Sequence, residues 1–174
     1  MLLWLSLSSC GDSNLLDQKQ IKRVIKETLE KIDLSSKKGN ELVYHTGLVE
    51  SKYVYLMQKG GNNVARGLFQ CEPWVAVDIC KNYLKYRKDL MKQVSEACKL
   101  DWKYFTDPNE IDWREILTTN IIAQVVVCRL HYWRVPKPLP KTLDEQAIYW
   151  KAFYNSAKGK GSKNHFLEIV AKYG

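Results

Sequence analysis

Apolar residues recur at spacings of three and four along residues 14–32, where Ile21, Val24, Ile25, Leu29 and Ile32 form one stripe. That period predicts an amphipathic helix, with Asn14 as its cap. A second, shorter helix is expected over 40–51, carried by Leu42, Val43, Thr46 and Val49. Residues 52–57, Lys-Tyr-Val-Tyr-Leu-Met, are aromatic and β-branched and suit a short strand. The run KGGNN at 59–63 is a loop, because its glycines break either period. Pro73 fits the first turn of a helix running through Val77, Cys80 and Leu84 and on to Cys98. The pattern then fails over DWKYFTDPNEIDW, 101–113, which reads as a surface excursion. Residues 115–133 are long and mainly apolar and predict one central buried helix, stopped by the prolines of VPKPLP. Thr142 and Glu145 form a capping box for a helix to about Asn155. GKGS is a flexible loop, and a last helix covers about 163–172. The fold class is therefore mainly α, with a short irregular or β-hairpin segment near residues 53–70.

Length and composition add limits. A chain of 174 residues that is 45% hydrophobic, with 6 Trp and 10 Tyr, can bury a real core. One domain over 14–174 is expected, preceded by an apolar extension, 1–13. Within that extension Leu7-Ser8-Ser9-Cys10 has the form of a bacterial lipoprotein cleavage box, but no positive residue precedes the apolar run, as an export signal would require. The alternatives are a disordered extension or a start placed too early. The net charge of +8 implies either a solvated basic surface or an acidic partner: nucleic acid, a bacterial surface polymer or an anionic membrane. No zinc-finger or RNA-recognition signature is present, and no nucleic-acid partner is expected. Five cysteines (10, 71, 80, 98 and 128) cannot close completely into disulfides and read as reduced, buried small hydrophobes. The histidines at 45, 131 and 165 show no ligand spacing with them, so neither a metal nor a cofactor is expected.

One stretch obeys neither period. Ala65-Arg-Gly-Leu-Phe-Gln-Cys-Glu-Pro73 places an apolar pair and an amide directly after a glycine. It follows a helix ending in Glu50-Ser51. Further on come Asn120-Ile121 and then Ala152-Phe153-Tyr154-Asn155. In this order the four elements resemble the soluble lytic transglycosylase and goose-type lysozyme superfamily: a helix ending in Glu-Ser, then Gly-Leu-(Met/Phe)-Gln with Pro close behind, an Asn-Ile helix, and Ala-Tyr-Asn. The likeness covers about residues 42–160 and is nearest to small lysozyme-like proteins encoded by tailed bacteriophages. The chain departs from the pattern by one inserted residue, Phe153, which shifts the register of its fourth element.

The resemblance implies a lysozyme-like fold and cleavage of peptidoglycan glycan strands. Glu50 would be the catalytic acid. Ser51, Gly67, Leu68, Phe69, Gln70, Tyr154 and Asn155 would line the substrate groove, with Tyr154 touching Glu50. It places the protein in a phage virion or the bacterial envelope, with other virion proteins as further partners. The residues agree with that chemistry. A glycosidic bond breaks when its leaving oxygen is protonated, and a carboxyl does this if an apolar setting raises its pKa. Glu50 follows Leu48 and Val49 at a helix C-terminus, where the dipole also disfavours the anion. Gln70 suits the N-acetyl or hydroxyl groups of an amino sugar. A hydrolase would need a second carboxylate, for which Glu72 and Asp78 are nearest. A transglycosylase needs Glu50 alone. The stretch 65–70 is expected beside the end of the Glu50 helix, with Gly67 near Glu50, Phe69 buried, and Gln70 facing a groove that Tyr154 and Asn155 approach from the other side. The competing expectation is a structural virion protein in which Glu50 is inert.

Overall fold

The computed structural model describes residues 16–60, 62–155, 159 and 161–174. The extension 1–13 and the expected cap Asn14 lie outside them. Among the described residues the chain forms nine α-helices. Helix α1 (Gln18–Glu30) is capped by Asp17, whose side chain accepts from the Gln20 amide. Helix α2 (Lys37–Ser51) starts three residues earlier than its apolar positions suggest, because Ser36 caps it through the Gly39 amide. The carboxyl end of α2 stops at Lys52, in the left-handed conformation at φ 53°.

The expected strand at 52–57 does not form. Lys52 and Tyr53 both take positive φ, which turns the chain. Only a narrow loop follows, closed by a single bridge between Met57 and Arg66 and by the Gln58 amide on the Ala65 carbonyl. Tyr53 is instead buried, and its hydroxyl donates to the Tyr44 carbonyl at 2.7 Å.

Two long helices predicted from apolar runs are each broken by local chemistry. The run from Pro73 divides into α3 (Pro73–Asn82), a 3-10 turn at Leu84–Tyr86, and α4 (Lys88–Cys98). Tyr83 and Arg87, at φ −131° and −135°, are the two breaks. The run 115–133 divides at Asn120. Its side chain accepts from the Ala123 amide and its Nδ2 donates to the Cys98 carbonyl. Asn120 thus ends α6 (Glu110–Thr119) and caps α7 (Ile121–Trp133), a local alternative that outcompetes continuous helix. The segment 101–113 is exposed at most positions but is not irregular. It holds the short α5 (Lys103–Thr106) and the start of α6, capped by Asn109. Phe105 and Trp113 there are buried edge to face, with centroids 5.7 Å apart.

Helix α7 is buried on every side from Ala123 to Leu130 and packs on α1, α2, α3, α4 and α6, as expected of a central helix. Helix α8 (Leu143–Phe153) begins at the Thr142–Glu145 capping box and packs on α9 (Lys163–Tyr173). A smaller cluster of Val49, Ala147, Trp150, Phe166 and Val170 joins the end of α2 to α8 and α9. Cys71, Cys80, Cys98 and Cys128 are free and buried, as small hydrophobes should be. No helix among the described residues is long and apolar enough to cross a membrane.

Candidate active site

Glu50 sits in the last turn of α2, where the smaller apolar cluster meets the main core. The residue as a whole is only partly buried, and protein atoms crowd its carboxyl. That crowding pushes the pKa up from 4.5 to about 7, because burial penalises the anion. One hydrogen bond opposes the shift: the Trp150 indole Nε1 donates to Glu50 Oε1 at 2.8 Å. Burial is the larger effect. The Cys71 and Cys128 thiols and the Tyr132 and Tyr154 hydroxyls all sense the Glu50 charge, and burial holds each of them neutral, Cys71 at about 12. Near neutrality, then, the acid faces an indole N–H and neutral neighbours.

Ser51 explains why a serine follows the acid. Its hydroxyl lies 2.6 Å from the Leu68 carbonyl oxygen and accepts from the Tyr53 amide at 3.0 Å. It therefore ties the end of α2 to the Gly67–Gln70 turn. Arg66 and Cys71 exchange both backbone hydrogen bonds at 2.9 Å, closing Gly-Leu-Phe-Gln into a four-residue turn. Gly67 takes φ +74° and Gln70 φ +46°. Leu68 and Phe69 are buried, and the Leu68 amide donates to Gln124 Oε1 at 2.8 Å.

Tyr154, just past the end of α8, reaches the same turn. Its hydroxyl donates to the Phe69 carbonyl at 2.8 Å, and its ring stacks on Tyr132 with centroids 5.3 Å apart. Glu50, Ser51, Leu68, Phe69 and Tyr154 are thus brought together.

The remaining expected residues make contacts within the chain. A side chain on Gly67 would meet Gln124 and the Leu117 carbonyl, so its absence lets the turn press onto α6 and α7. Gln70 folds back, and its amide donates to the Gly67 carbonyl at 2.9 Å. Asn155 Oδ1 accepts from Lys151 at 2.8 Å, and Lys151 also reaches the Gly159 carbonyl. The neighbouring carboxylates are engaged as well. Glu72 accepts from the Trp74 indole, and Asp78 pairs with Arg134. That hydrogen bond from Arg134, more than any other influence, holds the Asp78 pKa below its usual value.

Trp150 is the residue that motif reading passed over. A signal was present: Trp150 and Tyr154 are four apart, so an α8 that orients one toward the end of α2 orients both. Gly161 completes the arrangement, since any side chain there would meet the Trp150 ring at 2.3 Å. Trp150→Phe removes the donor that favours the carboxylate. The Glu50 midpoint in an NMR carboxyl titration should then move further above about 7. An unchanged midpoint would mean that the indole does not act on the acid.

Compared with protein-family models, with curated proteins and with solved structures, the chain matches none.

Proposed function

We propose that this chain is a phage-encoded, lysozyme-like enzyme that cuts the MurNAc–GlcNAc bond of peptidoglycan as a lytic transglycosylase or muramidase. The observation that carries the reading is the Glu50 carboxyl, crowded by protein so that its pKa rises to about 7, and joined through Ser51 to the Gly67–Gln70 turn. Glu50 gives its proton to the glycosidic oxygen, and the bond to the sugar C1 breaks. The resulting carboxylate takes the proton of the same sugar's 6-hydroxyl, whose oxygen closes onto C1 as a 1,6-anhydro ring. One carboxyl serves as acid and then as base. The engagement of Glu72 with Trp74 and of Asp78 with Arg134 supports this single-carboxylate route over water attack. Glu72 and Asp78 remain the residues that a hydrolytic route would call on. The net charge of +8 would hold the protein on an anionic wall.

One observation favours the second reading, a virion protein without activity. Gln70 donates to its own turn and Asn155 accepts from Lys151, so groups meant for sugar are engaged within the chain. Mass spectrometry of purified peptidoglycan after incubation with the protein separates the readings. Anhydro-muramyl ends, one water lighter than hydrolytic ends, are the expected product. Reducing ends alone would assign water attack, and no soluble fragment would leave the structural role.

A further inference from the structure

We propose that a second site, independent of Glu50, binds an organic phosphate ester in the pocket between the end of α3 and the start of α4. The pocket has a volume of about 430 Å³. Lys81, Lys85 and Lys88 line it, with Tyr86 and Thr106 beside them. None of these lysines takes part in an ion pair among the described residues. The Lys85 and Lys88 ammoniums instead lie 5.8 Å and 6.0 Å from the ring centroids of Tyr86 and Trp102, contacts that leave their N–H groups available. Asp89 and Asp107, the carboxylates closest in sequence, do not line the pocket.

The backbone adds to the field. Lys88 is the first residue of α4, and that 11-residue helix has no side-chain cap at its N-terminus. The positive end of its dipole adds to the Lys88 charge, and Asp89 in the same first turn offsets part of it. A concave site of one sign concentrates counter-ions far more than a flat surface does.

The exposed lining specifies the rest of the ligand. Cys80, Met91 and Phe105 lie beneath the pocket and are almost fully buried, so a ligand meets the side chains above them. Those are the three lysines, Asn82 and the exposed ring of Tyr86. A phosphate carrying a small polyol or sugar matches this lining: the ammoniums neutralise the phosphate, and the Asn82 amide and Tyr86 ring meet the organic group. Roughly 12 Å of helix, eight residues from Pro73 to Lys81, separates this pocket from the turn beside Glu50.

Calorimetric titration with glycerol phosphate and with a poly(glycerol phosphate) oligomer, at low ionic strength, tests the proposal. Wild type should bind both saturably. Lys81→Ala/Lys85→Ala/Lys88→Ala should weaken binding by at least about tenfold. Lys31→Ala/Lys37→Ala/Lys38→Ala, which removes the same charge elsewhere, should bind as wild type does, and so should Glu50→Gln. All three pocket lysines are exposed, and Lys85→Glu alone provides a second variant with the same expected loss. Tighter binding of the oligomer would identify a polymer as the source of the phosphate, and equal affinity a free ester. Absence of saturable binding, or an equal loss in the control triple variant, would overturn the proposal.

Discussion

Glu50→Gln is expected to abolish peptidoglycan cleavage, by at least about a hundredfold, and to stabilise the folded protein at alkaline pH. The two effects have one cause. Glutamine cannot give up a proton, so the glycosidic oxygen leaves unprotonated. Nor can it ionise, so the folded chain escapes the cost of desolvating an anion. The sign follows from the direction of the shift, from 4.5 up to about 7. Below the lower value both folded and unfolded chains hold the proton, and the contribution of this carboxyl to stability is fully present. Between the two values the unfolded chain ionises while the folded chain binds more protons, so stability falls as pH rises. Above about 7 that contribution is lost, a penalty of up to about 3 kcal/mol relative to acid pH. Urea unfolding of both proteins at acid and alkaline pH measures it. The variant should gain on wild type only as pH rises. Parallel pH dependence in the two would mean that burial does not act on the carboxyl.

Gly67→Ala should cost about 3 kcal/mol or more. A side chain there would stand 2.6 Å from the Leu117 carbonyl oxygen and 2.5 Å from the Gln124 side chain, at φ +74°. Neither neighbour can yield easily. One is helix backbone, and the other is buried and holds the Leu68 amide. Overpacking and left-handed strain therefore add. Gly60→Ala is the natural comparison. Gly60 has a similar φ, +73°, but open space around it, so only the backbone strain of about 1 kcal/mol applies. Equal losses in chemical denaturation would contradict the packing described for the turn.

Periodicity located the helices whose stripes face one side, such as Ile21–Ile25–Leu29 in α1, and the Thr142–Glu145 box fixed the start of α8. It failed where a capping side chain cut through an apolar run. Asn120 sits inside a stretch with no polar face to interrupt, so nothing in the period reveals that its amide will bond Ala123 and Cys98. At 101–113 the helices escape the period for the opposite reason. They are too short to display a stripe, although Asn109 carried a cap signal. At the site, the order of Glu50-Ser51, Gly67–Gln70 and Tyr154 anticipated a real cluster, because each segment closes onto the next through Ser51 and the Tyr154 hydroxyl. The orientations of Gln70 and Asn155 were not legible, since they depend on a positive φ at Gln70 and on Lys151, four residues before Asn155. Trp150 was hidden in an aromatic helix, where an indole that packs and an indole that bonds a carboxyl look alike.

If the Glu50 carboxyl is the acid that breaks the glycan, the rate of peptidoglycan cleavage between about pH 5 and about pH 9 follows its ionisation. Wild type should lose activity about tenfold per pH unit above about 7, as the Glu50 proton is lost, and Glu50→Gln should show no activity on either side of that limb. A rate that does not fall across neutrality, or a Glu50→Gln variant that cleaves as wild type does, would contradict that role.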